Sequence, residues 1–343
     1  MEAMLITGRG RVEPRPYPDP KLVRGGAIVD VLRCGICGTD VHAYQSGDPY
    51  PPGLCGHEWV GRVRDVADDV RLLAPGDRVS VGIRPPCGAC VQCRAGQGAW
   101  CHPAMMSLGG FDPRGSAHGA FAPALAASAD RLVRIPDAVS NEAAAMIEPA
   151  TVAYHGVRLG RIRLGDFVVV QGAGPIGLLA LQWVRHAGAR EVLVVEPSPT
   201  RAALARALGA TATCAPAEIE ERVKDTTGGL GADAVVECAG RPETIQSAVD
   251  LVRRGGSVTL IGLSDRDATI RPGIWLMKEV TVRCSIAYEQ RDFAPVVEML
   301  ADGRIRAEPL HTRTVGLSQL AETMAELAGG GTRDVKVLVD PSA

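Results

Sequence analysis

The sequence predicts an α/β protein in which a parallel-sheet unit is inserted into a β-rich one. Up to about residue 140, short apolar stretches such as "AIVDVL" and "RVSVGI" are cut by Gly, Pro and Asp, the pattern of a turn-heavy β unit. From Phe167, apolar strand-like runs alternate with helix-like segments, which indicates βαβ units on a parallel sheet. After about residue 289 the pattern loosens and closes on the strand-like "VKVLVD", so the C-terminus is expected to return to the first unit. The expected division is residues 1–150 with 289–343, and residues 151–288. A chain of 343 residues is long for one core, and two domains are the natural expectation.

The elements of the alternating block follow in order. "FVVVQG" is a buried-strand run, "PIGLLALQWVRHAGA" an apolar helix, "EVLVVEP" a second strand and "TRAALARALGA" a second helix. "ADAVVECAG", the helical "PETIQSAVDLVRRGG" and the strand "SVTLIGL" complete it, and "FAPVVEMLADG" is a helix in the returning segment. No internal repeat or low-complexity stretch interrupts the pattern. Aromatic residues are only 4% of the chain, so Val, Leu, Ile and Ala must build the cores.

Charge and hydropathy exclude several function classes. The formal net charge is −2, with no basic field for nucleic acid and no acidic tail for a charged partner. No apolar run approaches the roughly 18 residues of a membrane span, and the N-terminus lacks a basic-then-apolar signal pattern. A cytoplasmic protein is therefore expected, with no membrane partner.

"VVVQGAGPIG" places Gly172, Gly174 and Gly177 directly after a strand and at the start of a helix. Gly172 permits a tight turn, Gly174 lets backbone amides approach a pyrophosphate, and Gly177 lets helix and strand pack closely. The helix begins at Pro175 and Ile176, so its positive end faces the phosphates. Glu196 follows Gly172 by 24 positions, where an acidic residue would accept hydrogen bonds from the adenosine ribose and repel a 2′-phosphate, favouring NAD over NADP. Arg201 is the residue that could favour the opposite cofactor. The plainer alternative is a glycine-rich packing turn with a surface glutamate.

Seven of the ten cysteines precede residue 102, and clustered cysteines in such a chain suggest metal rather than disulfides. "CGACVQCRAGQGAWC", residues 87–101, sets Cys87, Cys90, Cys93 and Cys101 at C-x2-C-x2-C-x7-C, a thiolate set that closes a tetrahedron around a structural zinc. An iron–sulfur cluster uses similar spacings, but nothing else suggests electron transfer. His102 abuts this set without being needed by it. A second set is assembled from separated parts. "CGICGTDVH" gives Cys37, Thr39, Asp40 and His42, "GHEWVG" gives His57 and Glu58, and "MIEPATVAYHG" gives Glu148. Cys37 and His57 are a plausible ligand pair for a catalytic zinc, which takes about three protein ligands and keeps one position open. Taken alone, His57 and Glu58 could equally be a solvated pair, and Cys34, Cys55 and His155 are expected to be structural.

These motifs, with "QGAGPIG" and the closing "VKVLV", resemble the zinc-dependent medium-chain alcohol dehydrogenases over essentially the whole chain. The resemblance implies a GroES-like β-rich catalytic domain and a Rossmann doubly wound parallel-sheet domain. It implies that Cys37 and His57 bind a catalytic zinc, with Glu58 sitting against the metal behind its ligands or exchanging as one of them. Glu148 stands where some branches carry a cysteine, and a glutamate there is similar to the sorbitol, butanediol and threonine dehydrogenase branches. Thr39 and His42 fall at the family's proton relay, and Lys336 where a basic residue approaches the pyrophosphate. Ala43, with Tyr44 one position later, departs from the sorbitol branch, which carries a tyrosine directly after the histidine of "DVH".

The implied activity is hydride transfer between a secondary alcohol or vicinal diol and NAD, with two zinc ions per chain. Sugar, polyol or L-threonine oxidation by the same machinery is the nearer alternative, and a catalytically silent NAD-binding protein the more distant one. A homodimer or homotetramer is also expected, with "SVTLIGL" as a strand that could pair across a two-fold axis.

Overall fold

The computed structural model describes residues 1–343 and divides into two compact units, Met1–Glu148 with Glu289–Ala343, and Pro149–Tyr288. The first unit opens with the antiparallel hairpin β1 (Glu2–Gly8) and β2 (Arg11–Pro16). β3 (Gly26–Gly35), β4 (Glu58–Val66), β5 (Arg78–Val81), β6 (Ala124–Ser128) and β7 (Leu132–Arg134) follow. β3 is the longest strand and is bound on both sides, antiparallel to β4 and β6, and its register sets Gly35 opposite Glu58. Its burial pattern is nearly continuous, as expected of a strand with a neighbour on each side and a covered face.

The second unit carries β8 (Phe167–Gln171), β9 (Glu191–Val195), β10 (Ala212–Cys214), β11 (Ala232–Glu237), β12 (Val252–Leu260) and β13 (Thr281–Cys284). They form one six-stranded sheet in the spatial order β10-β9-β8-β11-β12-β13, every pair parallel. In chain order that is third, second, first, fourth, fifth, sixth, the doubly wound order with its switch point between β8 and β11. Val169, Leu193, Val235 and Val258 from four strands share one aliphatic core. The register of β12 against β11 jumps from Ala232↔Val252 to Ala234↔Ser257, so Arg253–Gly256 bulge out of the ladder.

"SVTLIGL" lies largely in β12, which is flanked by β11 and β13. It offers no free edge, and the expectation that it pairs across a two-fold axis is corrected. The edge on that side is β13.

The chain then returns to the first unit as β14 (His311–Gly316) and β15 (Lys336–Asp340). The first unit's larger sheet reads β14-β15-β3-β4-β5-β7, with β6 on β3. β15 pairs with β3 through Leu338↔Gly35, so the C-terminal strand lies beside the strand that leads to Cys37. Val29, Trp59, Phe121, Leu125 and Val339 belong to its core. No helix is long and apolar enough to cross a membrane.

Candidate functional site

The first cluster forms where three strand ends meet. β3 ends at Gly35, β4 begins at Glu58 opposite it, and β15 begins at Lys336 alongside. Cys37 follows β3 and caps the helix Gly38–Ser46, and His57 immediately precedes β4. Ligand atoms of Cys37, His57 and Glu58 come within 4.8 Å of one another.

The Thr39 hydroxyl donates to Cys37 Sγ at 2.9 Å and lies 3.5 Å from His57 Nε2. His57 Nδ1 is 2.9 Å from the Leu54 carbonyl. A carbonyl only accepts, so Nδ1 carries the proton and Nε2 presents its lone pair towards Cys37 and Thr39. Asp40 is fully buried, accepts from the Cys37 backbone N–H and the Tyr50 hydroxyl, both at 2.9 Å, and lies 3.9 Å from His57 Nδ1. Burial pushes the Asp40 carboxyl up, against the opposing pull of His57. His42 lies three residues after Thr39, one turn along the same helix.

Glu58 and Lys336 form an ion pair with both side chains 2% exposed, and Lys336 Nζ also donates to the Ile36 carbonyl at 2.9 Å. Burial alone would lower the Lys336 ammonium, but Glu58, Cys37 and Glu148 together more than offset it and the net shift is upward. A Cβ on Gly35 would lie 2.5 Å from Glu58 Oε2 and 2.8 Å from Lys336 Cε, so the pair packs directly on that backbone. Lys336, expected near the cofactor pyrophosphate, has its ammonium buried and paired with Glu58. Glu148, the second residue of the helix Ile147–Gly160, is outside the tight group, although its charge acts on His57 and Lys336.

The second cluster is the four-cysteine lobe. The sulfurs of Cys87, Cys90, Cys93 and Cys101 lie within 4.8 Å of one another. The backbone N–H groups of Cys87 and Cys90 donate to Cys101 Sγ and Cys87 Sγ at 3.2 and 3.3 Å. Backbone donors favour the thiolate form, and the N–H of Cys93 pulls Cys90 down to about 6. Four converging sulfurs with such donors are the chemistry of a closed zinc site. Cys34 and Cys55 are fully buried outside both groups, as small core residues. His155 is also buried, with Nδ1 3.1 Å from Arg158 Nη2.

In the second unit, Gly172 follows β8 with φ +92°, a conformation that favours glycine. A Cβ on Gly177 would lie 2.0 Å from the Gly172 carbonyl oxygen, whereas one on Gly174 would meet nothing within 4 Å. Gly174 caps the helix Pro175–His186, with Pro175 and Ile176 in its first turn. The turn is therefore closed on its helix side and open at Gly174, which fits a pyrophosphate on the helix N-terminus.

Glu196 is buried, and its two oxygens accept from the backbone N–H groups of Ala173 at 2.8 Å and Ser198 at 3.0 Å. It thus ties the glycine turn to the end of β9 and retains lone pairs for other donors. Arg201 lies in the first turn of the helix Pro199–Ala207, its backbone N–H capped by Ser198 Oγ at 3.4 Å.

Sequence reasoning gave no role to Tyr50, Gly35 or Glu237. Glu237 is buried at the end of β11, where Oε1 accepts from the backbone N–H groups of Ala239 and Gly240 and from the Thr244 hydroxyl. The glycines of "CGICG" carried a signal for Gly35. Nothing local marked the other two.

Comparison with known proteins agrees with this geometry. The family described as "Alcohol dehydrogenase GroES-like domain" matches residues 24–137, and "Zinc-binding dehydrogenase" matches residues 175–302. (R,R)-butanediol dehydrogenase of Bacillus subtilis is 32% identical, the alignment covering 94% of this chain and 95% of that one. Sorbitol dehydrogenase of the same organism is 29% identical over 100% of this chain and 98% of its own. A solved zinc-binding dehydrogenase from Sinorhizobium meliloti, bound to NADP, superposes with a TM-score of 0.86 at 30% identity, covering 99% of each chain. Fold, cysteine lobe, glycine turn and full-length similarity agree, and the chain belongs to the zinc-dependent medium-chain alcohol dehydrogenase family.

Proposed function

We propose that this chain oxidises a secondary alcohol or vicinal diol to the ketone, with NAD as hydride acceptor and zinc as resident metal. The observation that carries the reading is the Thr39 hydroxyl, 2.9 Å from Cys37 Sγ and 3.5 Å from His57 Nε2. A hydroxyl beside the thiolate and imidazole that would hold zinc is placed to relay the proton of an alcohol bound there. Cys37 and His57 would hold the catalytic zinc, with Glu148 as the carboxylate ligand and Glu58 as the exchanging one. Zinc supplies Lewis acidity that makes an alcohol easier to deprotonate near neutral pH. Thr39 passes the proton on towards His42. The lobe of Cys87, Cys90, Cys93 and Cys101 holds a structural zinc.

In the second unit, Gly172, Gly174, Pro175, Ile176 and Gly177 seat the pyrophosphate, and Glu196 holds the ribose end. The solved Sinorhizobium meliloti neighbour carries NADP. Glu196 argues for NAD and Arg201 is the residue that would argue against it. The chain works in the cytoplasm, where thiols remain reduced for metal binding; disulfide-bonded Cys87–Cys101 in protein isolated from its native host would contradict that placement.

Glu148 and Ala43 favour the butanediol-type substrate, whereas full-length similarity to a sorbitol dehydrogenase supports polyols as the second reading. Initial rates across primary alcohols, 2,3-butanediol, cyclic secondary alcohols, polyols, sugars and threonine, each with NAD and NADP, test both. The secondary alcohol or diol with NAD is expected to show the highest kcat/KM. A much higher value for ethanol overturns the substrate class, and preference for NADP overturns the role given to Glu196.

A further inference from the structure

The second unit has a recess at the opposite end of its strands from the glycine turn. It lies among the amino-terminal ends of β8, β11, β12 and β13 and is lined by Arg161, Arg163, Arg253 and Arg283 with Asp166 and Asp233. Four guanidinium groups against two carboxylates leave the lining with a net charge of +2.

Both carboxylates are already engaged. Asp233 accepts from Arg253 Nε at 2.7 Å and from the Phe167 backbone N–H at 2.8 Å. Asp166 accepts from the Arg163 backbone N–H at 2.8 Å. The guanidinium groups of Arg161, Arg163 and Arg283 make no ion pair and no side-chain hydrogen bond.

We propose that this recess binds a small polyvalent oxyanion of the phosphate or diphosphate class. Guanidinium forks match phosphate oxygens two at a time, and three of them converge here without a protein acceptor. The cavity volume is about 170 Å³. That is several times the roughly 30 Å³ share of a water molecule and well below the roughly 300 Å³ of a pocket for a drug-sized ligand. A phosphate or diphosphate group fits, and a whole nucleotide does not. The bulge at Arg253–Gly256 brings one of the four arginines to the rim, and the site shares no residue with the glycine turn.

Arg161 provides a clean test. Its φ is +54°, a conformation in which glycine is unstrained, so Arg161→Gly removes the charge without a folding penalty. Inorganic phosphate and inorganic pyrophosphate are titrated calorimetrically into the zinc-loaded full chain, with and without saturating NAD. Pyrophosphate is expected to bind in the presence of NAD, and Arg161→Gly and Arg283→Ala each to weaken it about tenfold with thermal stability unchanged. The proposal is overturned if pyrophosphate gives no binding, if NAD abolishes it, or if both variants bind like the wild type. Should NAD itself fail to bind, the cofactor assignment fails, and the comparison of variants without NAD still decides this site.

Discussion

Glu58 and Glu196 are each tied to another part of the chain as well as to the role proposed for them. Glu58 answers a lysine that arrives from the far C-terminus, and Glu196 answers two backbone amides. At this scale the types of residue at the sites were legible, since ligand spacing and the glycine pattern are local. The partners were not, because Glu58 and Lys336 are separated by 278 positions and meet only once β15 has docked on β3.

The consequence of that pairing is energetic. Removing Lys336 strands a buried carboxylate, and breaking a buried ion pair from one side costs about 3–5 kcal/mol. Lys336→Met is expected to lose stability of that order in denaturant unfolding, and Lys336→Met with Glu58→Leu to recover part of it. A neutral single variant would show that the pair does not hold these three strand ends together.

The glycine turn shows what one element contributes. Strand, turn and helix were legible from "VVVQGAGPIG" because the apolar run, the glycines and the helix start are contiguous. The interior position of β12 was not, since an apolar strand reads alike whether it has one neighbour or two. Within the turn the structure separates two glycines that look alike in sequence. A side chain at Gly177 would strike the Gly172 carbonyl, whereas one at Gly174 would project into open space. Gly177→Ala is therefore expected to lower thermal stability. Gly174→Ala is expected to leave stability unchanged and weaken NAD binding by about tenfold or more, because it enters the space assigned to the pyrophosphate. Unchanged NAD affinity in Gly174→Ala, read by fluorescence titration, would remove the pyrophosphate from this turn.

Across the whole molecule, the β-rich to alternating to β-rich pattern marked an inserted unit, because the change in hydrophobic period is visible without any contact being known. A candidate surface for self-association could not be read that way; strand order and exposure suggest one. β13 leaves one side of the parallel sheet unpaired, and Leu276, Met277 and Ile286, close to it in sequence, are 77%, 65% and 62% exposed. An open edge with apolar side chains in the flanking segments invites pairing with a second copy. Light scattering is expected to report a homodimer or homotetramer, and Leu276→Asp with Met277→Asp to shift it towards monomer. A monomeric wild type at micromolar concentration would defeat this.

The proposed function requires two zinc sites of different kinds in the first unit, the one beside Thr39 with a position left open for substrate. Zinc content per chain, measured by elemental analysis on wild type and Cys37→Ser, tests this most directly. Two zinc ions per wild-type chain are expected, falling to one in Cys37→Ser with the fold retained and NADH formation lost. One zinc per wild-type chain, unaltered by Cys37→Ser and accompanied by undiminished NADH formation, would contradict it.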